Sequence, residues 1–283
     1  MRNLLIAANA IGDIILSSEL IKNAEHRNWL VYVHPNHYEW VKKYILKEDS
    51  CNLVSNLNLE IDYDIIVDAC GQDSVLCDLK KVNKKKSIGF FFHTFYDEVI
   101  DFSTKCSVNP VYDFYKTINY TLFTKSNYSD YPAFSKKTDY TKKFDVVIYP
   151  FSGNPKKNWP ISFFTKTYVL LKENGFDVKF LNPIPCGIEI ENVASYDILT
   201  PKDWIESSSV IKSSRLFLAN DSSLAHISAF LGIFTVAIFN KFNSKIWFPY
   251  PKNIGVAIDN LDQNLFANDL YQKLVTYLYE YEI

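Results

Sequence analysis

The tetrapeptide Asn220-Asp221-Ser222-Ser223 separates a short apolar run, Leu216-Phe217-Leu218-Ala219, from a helix-like stretch that carries His226 and Phe230 and halts at Gly232. Where a strand runs directly into a helix, the unpaired first-turn N–H groups and the positive end of the dipole converge on one spot. Small hydroxyl residues there make an anion site. The simpler alternative is that Asp221 or Ser222 only caps the helix. A second polar stretch, Phe151-Ser152-Gly153-Asn154-Pro155-Lys156-Lys157-Asn158-Trp159-Pro160, also follows an apolar run. The Lys157 ammonium and the Ser152 hydroxyl are groups that can hold a phosphate, although most loop lysines are simply solvated. The third chemistry-bearing group is Asp13, preceded by Gly12 in the loop after the first apolar run. Burial there would raise its pKa toward that of a working general base. The competing role is N-cap of a helix from Ile14.

The elements that must position these residues alternate along the chain. Apolar runs at 4–8, 30–33, 65–67 and 87–91 read as strands of a first half. Those at 146–149, 178–181, 216–219, 235–239 and 256–258 read as strands of a second. Helices are expected over 14–24, over 161–174 up to Gly175, and after the 220–223 knot through His226 and Phe230 as far as Gly232. This alternation predicts an α/β protein with two parallel, helix-flanked sheets. The polar, aperiodic stretch 127–143 reads as the linker, giving domains 1–140 and 141–283. Ligands of such sheets bind beyond the carboxyl ends of the strands, where all three loops fall.

The ordered set of a Gly12-Asp13 loop, a Lys157-x-Trp159-Pro160 loop and an Asn220-Asp221-Ser222-x-x-x-His226 turn before Leu231-Gly232-x-x-Thr235-Val236-Ala237 resembles glycosyltransferase family 9. These are the bacterial ADP-heptose:lipopolysaccharide heptosyltransferases, and the pattern spans nearly the whole chain. The resemblance implies GT-B architecture, two Rossmann-like domains facing across a cleft, and an inverting glycosyltransferase that works without metal or other cofactor. Sugar transfer from a nucleoside diphosphate needs a base for the acceptor hydroxyl, neutralisation of the leaving diphosphate, and in-line positioning. The resemblance makes Asp13 the general base, with Gly12 on the acceptor side. It assigns the donor, ADP-heptose in the simplest case, to Ser152, Gly153, Lys157, Asp221, Ser222, Ser223 and His226.

Aimed at a diphosphate, Asp221 would repel it, so Asp221 is expected to hold the turn or reach a ribose or sugar hydroxyl. His226 either donates to phosphate or is a packed helix histidine. The chain departs from the family at Ala7, where a basic residue is usual, at Glu19 in place of proline, and at Ser223 in place of glycine. The loop 182–195 replaces a full helix, with Glu189 or Glu191 as substitutes for its contacts. Two alternatives follow: a family relative with another nucleotide sugar or a protein acceptor, and a non-catalytic nucleotide-sugar-binding partner protein.

Composition narrows the rest. The 283 residues carry a net charge of −2, with 48% hydrophobic and 16% aromatic residues, so the chain can bury two cores and has no global attraction for nucleic acid. The lysine run 80–86 is usually a solvated face. Lys84, Lys85 and Lys86 lie in the acceptor half, so contact with anionic lipid or lipopolysaccharide phosphates is the second expectation. Five cysteines without a C-x-x-C pair suit reduced thiols. His34 and His37 flank Pro35 without further ligands, and a surface loop is expected rather than zinc. The absence of G-x-G-x-x-G after the first strand argues against a nicotinamide cofactor. No apolar run reaches membrane-spanning length, and the N-terminal run is interrupted at Asn9, Gly12 and Asp13. A soluble cytoplasmic protein is expected, with peripheral contact on the inner face of the inner membrane as a further option, using a nucleotide sugar and a lipid-linked or surface-glycan acceptor.

Overall fold

A computed structural model describes residues 2–46, 50–70, 78–89, 96–99, 110–123, 141–182, 196–241, 244–248, 250–262 and 264–280. Most of the expected linker, the loop from 183 to 195 with Glu189 and Glu191, and Cys77, Cys106 and Cys186 lie outside them. The chain divides into two compact units, Met1–Ala133 and Phe134–Ile283.

In the first unit, β1 (Asn3–Ile6) lies between β2 (Leu30–Tyr32) and β4 (Tyr63–Asp68), with Leu4 in register with Leu30 and Ile66. β3 (Leu53–Val54) extends one edge. β5 (Lys84–Gly89) and β6 (Glu98–Val99) extend the other, giving the parallel order β3-β2-β1-β4-β5-β6. Leu4, Leu5 and Ile6 are fully buried because helices cover both faces of a central parallel strand. Leu4, Ile6, Tyr63, Ile66, Leu79, Val82 and Tyr96 make one core cluster. Gly89 matters to it: a side chain there would collide with the Tyr96 ring.

The single helix expected over 14–24 is two: α1 (Ile11–Leu16) and α2 (Ser18–His26). The break is at Ser17, whose hydroxyl donates back to the Ile14 carbonyl at 3.1 Å and so competes with regular helix geometry. The expected histidine loop is also a helix, α3 (Pro35–Tyr44). His34 is its N-cap, with Nδ1 accepting from the Asn36 N–H at 3.2 Å, and Pro35 takes the first-turn position that tolerates a missing N–H. α4 (Pro110–Phe123) is bound to α2 by Asn23 donating to Asn119 and Arg27 donating to the Phe123 carbonyl.

In the second unit, β7 (Phe144–Tyr149) is central, flanked by β10 (Ser214–Asn220) and β8 (Val178–Leu181). With β9 (Ile198–Leu199), β11 (Phe234–Phe239) and β12 (Gly255–Asp259), the parallel order is β12-β11-β10-β7-β8-β9. Numbered within its own unit, each sheet therefore runs 3-2-1-4-5-6, the order of dinucleotide-binding sheets. One face is covered by α5 (Ile161–Glu173) and α9 (Ala267–Glu280), whose Phe164, Tyr168, Leu171, Leu270, Leu274 and Leu278 pack on Val146, Ile148, Leu216 and Leu218. α6 (Trp204–Lys212) precedes β10, and α7 (Ser223–Phe230) follows it. α5 ends before Gly175 and α7 before Gly232, both at positive φ (86° and 75°), the conformation that favours glycine after a helix.

Candidate active site

In a 3-2-1-4-5-6 sheet the connections diverge between the first and fourth strands, leaving a crevice at their carboxyl ends. In the second unit those strands are β7 and β10; the loops after them carry Ser152, Gly153, Lys157, Asp221 and Ser222, and the helix that follows β10 carries Ser223 and His226. Two buried side chains hold the loops together. Trp159, 1% exposed, packs edge-on against Phe164 at 4.9 Å and donates from its indole N–H to the Leu265 carbonyl at 3.3 Å. Asn220, fully buried, accepts from the Trp159 backbone N–H at 2.9 Å and donates to the Pro150 carbonyl. Asn220 thus ties the end of β10 to both ends of the 151–158 loop. Its role was not read from the sequence. The signal available was an asparagine at the end of an apolar strand, where a buried amide needs partners.

That clamp brings Lys157 and Asp221 together. Lys157 lies at the end of a 3-10 turn (Pro155–Lys157) capped by the Asn154 side chain. Its ammonium is 2.7 Å from Asp221 Oδ2, an ion pair with a 6%-exposed carboxylate, and 5.5 Å from the centre of the Trp247 ring. Trp247 closes the short helix α8 (Ser244–Trp247). The ion pair ties the loop after β10 to the loop after β7. The Ser152 hydroxyl donates to the Asn154 carbonyl at 2.8 Å and accepts from the Asn154 N–H, which shapes the loop around Gly153. Of the two capping candidates, Ser222 caps α7, accepting from the Ala225 N–H at 3.4 Å. Ser223 is the first residue of that helix.

His226 lies one turn along α7, buried against Tyr250 with ring centres 6.0 Å apart. Burial, with Lys157 nearby, outweighs the attraction of Asp221 and brings its pKa down to about 4, so the ring is neutral at pH 7. Its Nδ1 is buried and makes no hydrogen bond among the described residues. A neutral ring can still donate one hydrogen bond through whichever nitrogen carries the proton.

In the first unit the corresponding crevice lies between β1 and β4. Asp13 is there, half-buried in the first turn of α1. It does not cap the helix: Ala10 is the N-cap, and Asp13 sits three residues in, where an anion is favoured by the dipole. Gly12 is buried beside it in the same turn. A second carboxylate, Asp68 at the end of β4, is 1% exposed and structural. It accepts from the Cys70 N–H at 2.8 Å and from the Tyr96 hydroxyl at 2.6 Å.

Lys84, Lys85 and Lys86 are elsewhere. They open β5, because its parallel pairing with β4 extends upstream to Tyr63–Lys84 and Ile65–Lys86. Lys84 donates to the Leu79 carbonyl at 3.2 Å, Lys85 pairs with Asp64, and Lys86 with Glu98. This is the amino end of the sheet, opposite the edge that carries Asp13, and the fold does not bring these lysines to it. No group of three or more His, Cys, Asp or Glu among the described residues is placed to hold a metal ion, and no described helix is long and apolar enough to cross a membrane.

Comparison with known proteins adds the family. The profile of glycosyltransferase family 9 (heptosyltransferase) matches residues 110–270, more than half of the chain. The structure of the E. coli heptosyltransferase WaaC with ADP is similar at a TM-score of 0.73 and 14% identity, over 98% of this chain and 99% of that one. That of E. coli ADP-heptose lps heptosyltransferase II gives 0.72 and 14% over 100% of both. The family 9 glycosyl transferase from Veillonella parvula DSM 2008 gives 0.68 and 13%, over 97% and 89%. No curated protein matches in sequence. The structural likenesses carry the two-domain GT-B fold and the profile carries the lineage: the chain is a glycosyltransferase and belongs to glycosyltransferase family 9.

Proposed function

We propose that the chain transfers a sugar, heptose from ADP-heptose in the simplest case, with inversion and without metal, to a lipopolysaccharide-core or related surface-glycan acceptor. Lipid linkage would hold that acceptor at a membrane surface, with the enzyme in peripheral contact. The observation that carries the donor half is the Lys157–Asp221 pair beside the capped start of α7, at the crevice of the second sheet. A nucleoside diphosphate there takes its counter-charge from Lys157 and from the first-turn N–H groups of α7, the roles a metal ion fills elsewhere. Asp13 takes the proton of the acceptor hydroxyl. The hydroxyl oxygen forms the new bond to the anomeric carbon, and the bond from that carbon to the phosphate oxygen breaks, releasing the diphosphate. Asp221, anionic and adjacent, keeps Lys157 aimed and offers a hydroxyl acceptor to the sugar.

Thermal denaturation with ADP, UDP, GDP and CMP tests the donor assignment. ADP at a hundredfold excess over its dissociation constant adds about 2.7 kcal/mol of stability, and a non-cognate nucleotide far less. A larger shift with UDP or GDP would replace the adenine assignment, and no shift with any of the four would remove the nucleotide site.

A further inference from the structure

A cavity of about 430 Å³ opens at the amino ends of β1, β2 and β4 in the first unit, the edge of the sheet opposite to the one that carries Asp13. The connection between β3 and β4 lines one side. It is tied to β4 by the Tyr63 hydroxyl, which donates to the Asn58 carbonyl at 3.4 Å. The volume lies in the range of small-molecule sites and equals about fourteen liquid waters, room for a substituted sugar ring.

Five asparagines line it: Asn3, Asn28, Asn52, Asn56 and Asn58. A side-chain amide both donates and accepts, as a sugar hydroxyl does. Asn28 is accounted for by its left-handed backbone, φ 60°, and no such demand applies to the other four. Asn3 opens β1, where asparagine is disfavoured, and its Oδ1 is buried with no hydrogen-bond partner among the described residues. A buried acceptor needs a donor, and here that donor must come from outside the chain. Asn58 spends its Oδ1 on the Glu60 N–H at 3.0 Å and keeps its amide hydrogens to donate. Leu30, Ile61 and the Tyr63 ring form an apolar floor. Arg2 is the one charged side chain in the lining among the described residues. Asp64 accepts from the Arg2 backbone N–H at 3.0 Å, but its carboxylate is paired with Lys85 and stands outside the lining.

We propose that this cavity is a further binding site, separate from the donor and acceptor crevices, for a sugar phosphate. The phosphate pairs with the Arg2 guanidinium. Ring hydroxyls donate to Asn3 Oδ1 and accept from the Asn56 and Asn58 amides, while the C–H face of the ring packs on Leu30, Ile61 and Tyr63. A neutral sugar leaves Arg2 unused, and a bare phosphate leaves the amides unused. The site does not depend on the roles of Asp13 or Lys157.

Saturation-transfer NMR on the full chain tests this, using the 6-phosphates of glucose, mannose and galactose, each against its methyl glycoside, with inorganic phosphate as competitor and ADP present to fill the donor crevice. At least one sugar phosphate should saturate, with its methyl glycoside about fivefold weaker, the upper scale of an exposed charge pair. Arg2 and Asn56 are exposed, so their replacement leaves the core intact. Arg2→Gln should bring the sugar phosphate to within about twofold of the glycoside. Asn56→Ala should weaken both by about threefold, the scale of one hydrogen bond. The proposal is overturned if no sugar phosphate saturates, if the glycoside binds as well, if inorganic phosphate displaces the sugar phosphate at equal concentration, or if either variant changes nothing. Failure of ADP to bind, with a sugar phosphate still answering to Arg2→Gln, would overturn the donor assignment and leave this site standing.

Discussion

His226 makes a quantitative prediction about stability. The ring is buried and its pKa falls from 6.5 to about 4, chiefly because burial penalises the imidazolium. The unfolded chain therefore binds this proton first. Stability is complete above about pH 6.5 and is lost as the pH drops toward the folded value, because between the two the unfolded state takes up more protons. From pH 7 to pH 5 the two binding curves separate by about 2 kcal/mol. His226→Gln keeps a polar planar side chain and abolishes the titration. Urea denaturation of parent and variant at pH 7, 6 and 5 isolates the effect, since every other carboxylate and histidine is common to both. The parent should lose about 2 kcal/mol more than the variant over that interval, with most of the difference appearing below pH 6. Parallel losses would mean that the folded protein carries a charged His226, and that burial does not set its protonation. Under the proposed function, a neutral His226 leaves the counter-charge for the diphosphate to Lys157.

Asp13→Asn should abolish sugar transfer while leaving ADP affinity within about two- to threefold, because proton abstraction is lost and the nucleotide loops belong to the other unit; turnover near that of the parent would take Asp13 out of the mechanism. Lys157→Ala should weaken ADP binding by about 1.5–3 kcal/mol, the scale of a charged hydrogen bond. It should also destabilise the fold, since Asp221 is left buried and unpaired. Adding Asp221→Asn should restore stability but not ADP affinity. Calorimetry showing equal ADP affinity in Lys157→Ala and the parent contradicts the assignment.

Much of the architecture was legible in the residues because the determining patterns are local. Central parallel strands such as 146–149 and 235–239 are buried on both faces and read as unbroken apolar runs, and Gly175 and Gly232 mark helix ends by their left-handed backbone. The motifs that pointed to the family, around Asp13, Lys157 and His226, follow strand ends, in the turns and first helical turns where short-range order already places them. The short edge strands 53–54, 98–99 and 198–199 were not legible, because two residues carry no period and acquire strand geometry only from the neighbour they pair with. For the same reason Lys84, Lys85 and Lys86 look like a solvated loop in one dimension and are strand in three.

The sequence by itself determined two Rossmann-like sheets, the loops that carry the chemistry, and the residue types on them. Only the tertiary structure decided which of those residues meet. Lys157 and Asp221 are 64 positions apart in the chain, and nothing local predicts their ion pair. It forms because buried Asn220, hydrogen-bonded to the Trp159 N–H and the Pro150 carbonyl, holds the two loops to one strand end. The protonation of His226 is likewise a property of the packing around it. Burial and charge proximity are sums over distant parts of the chain, and folding alone brings those parts together.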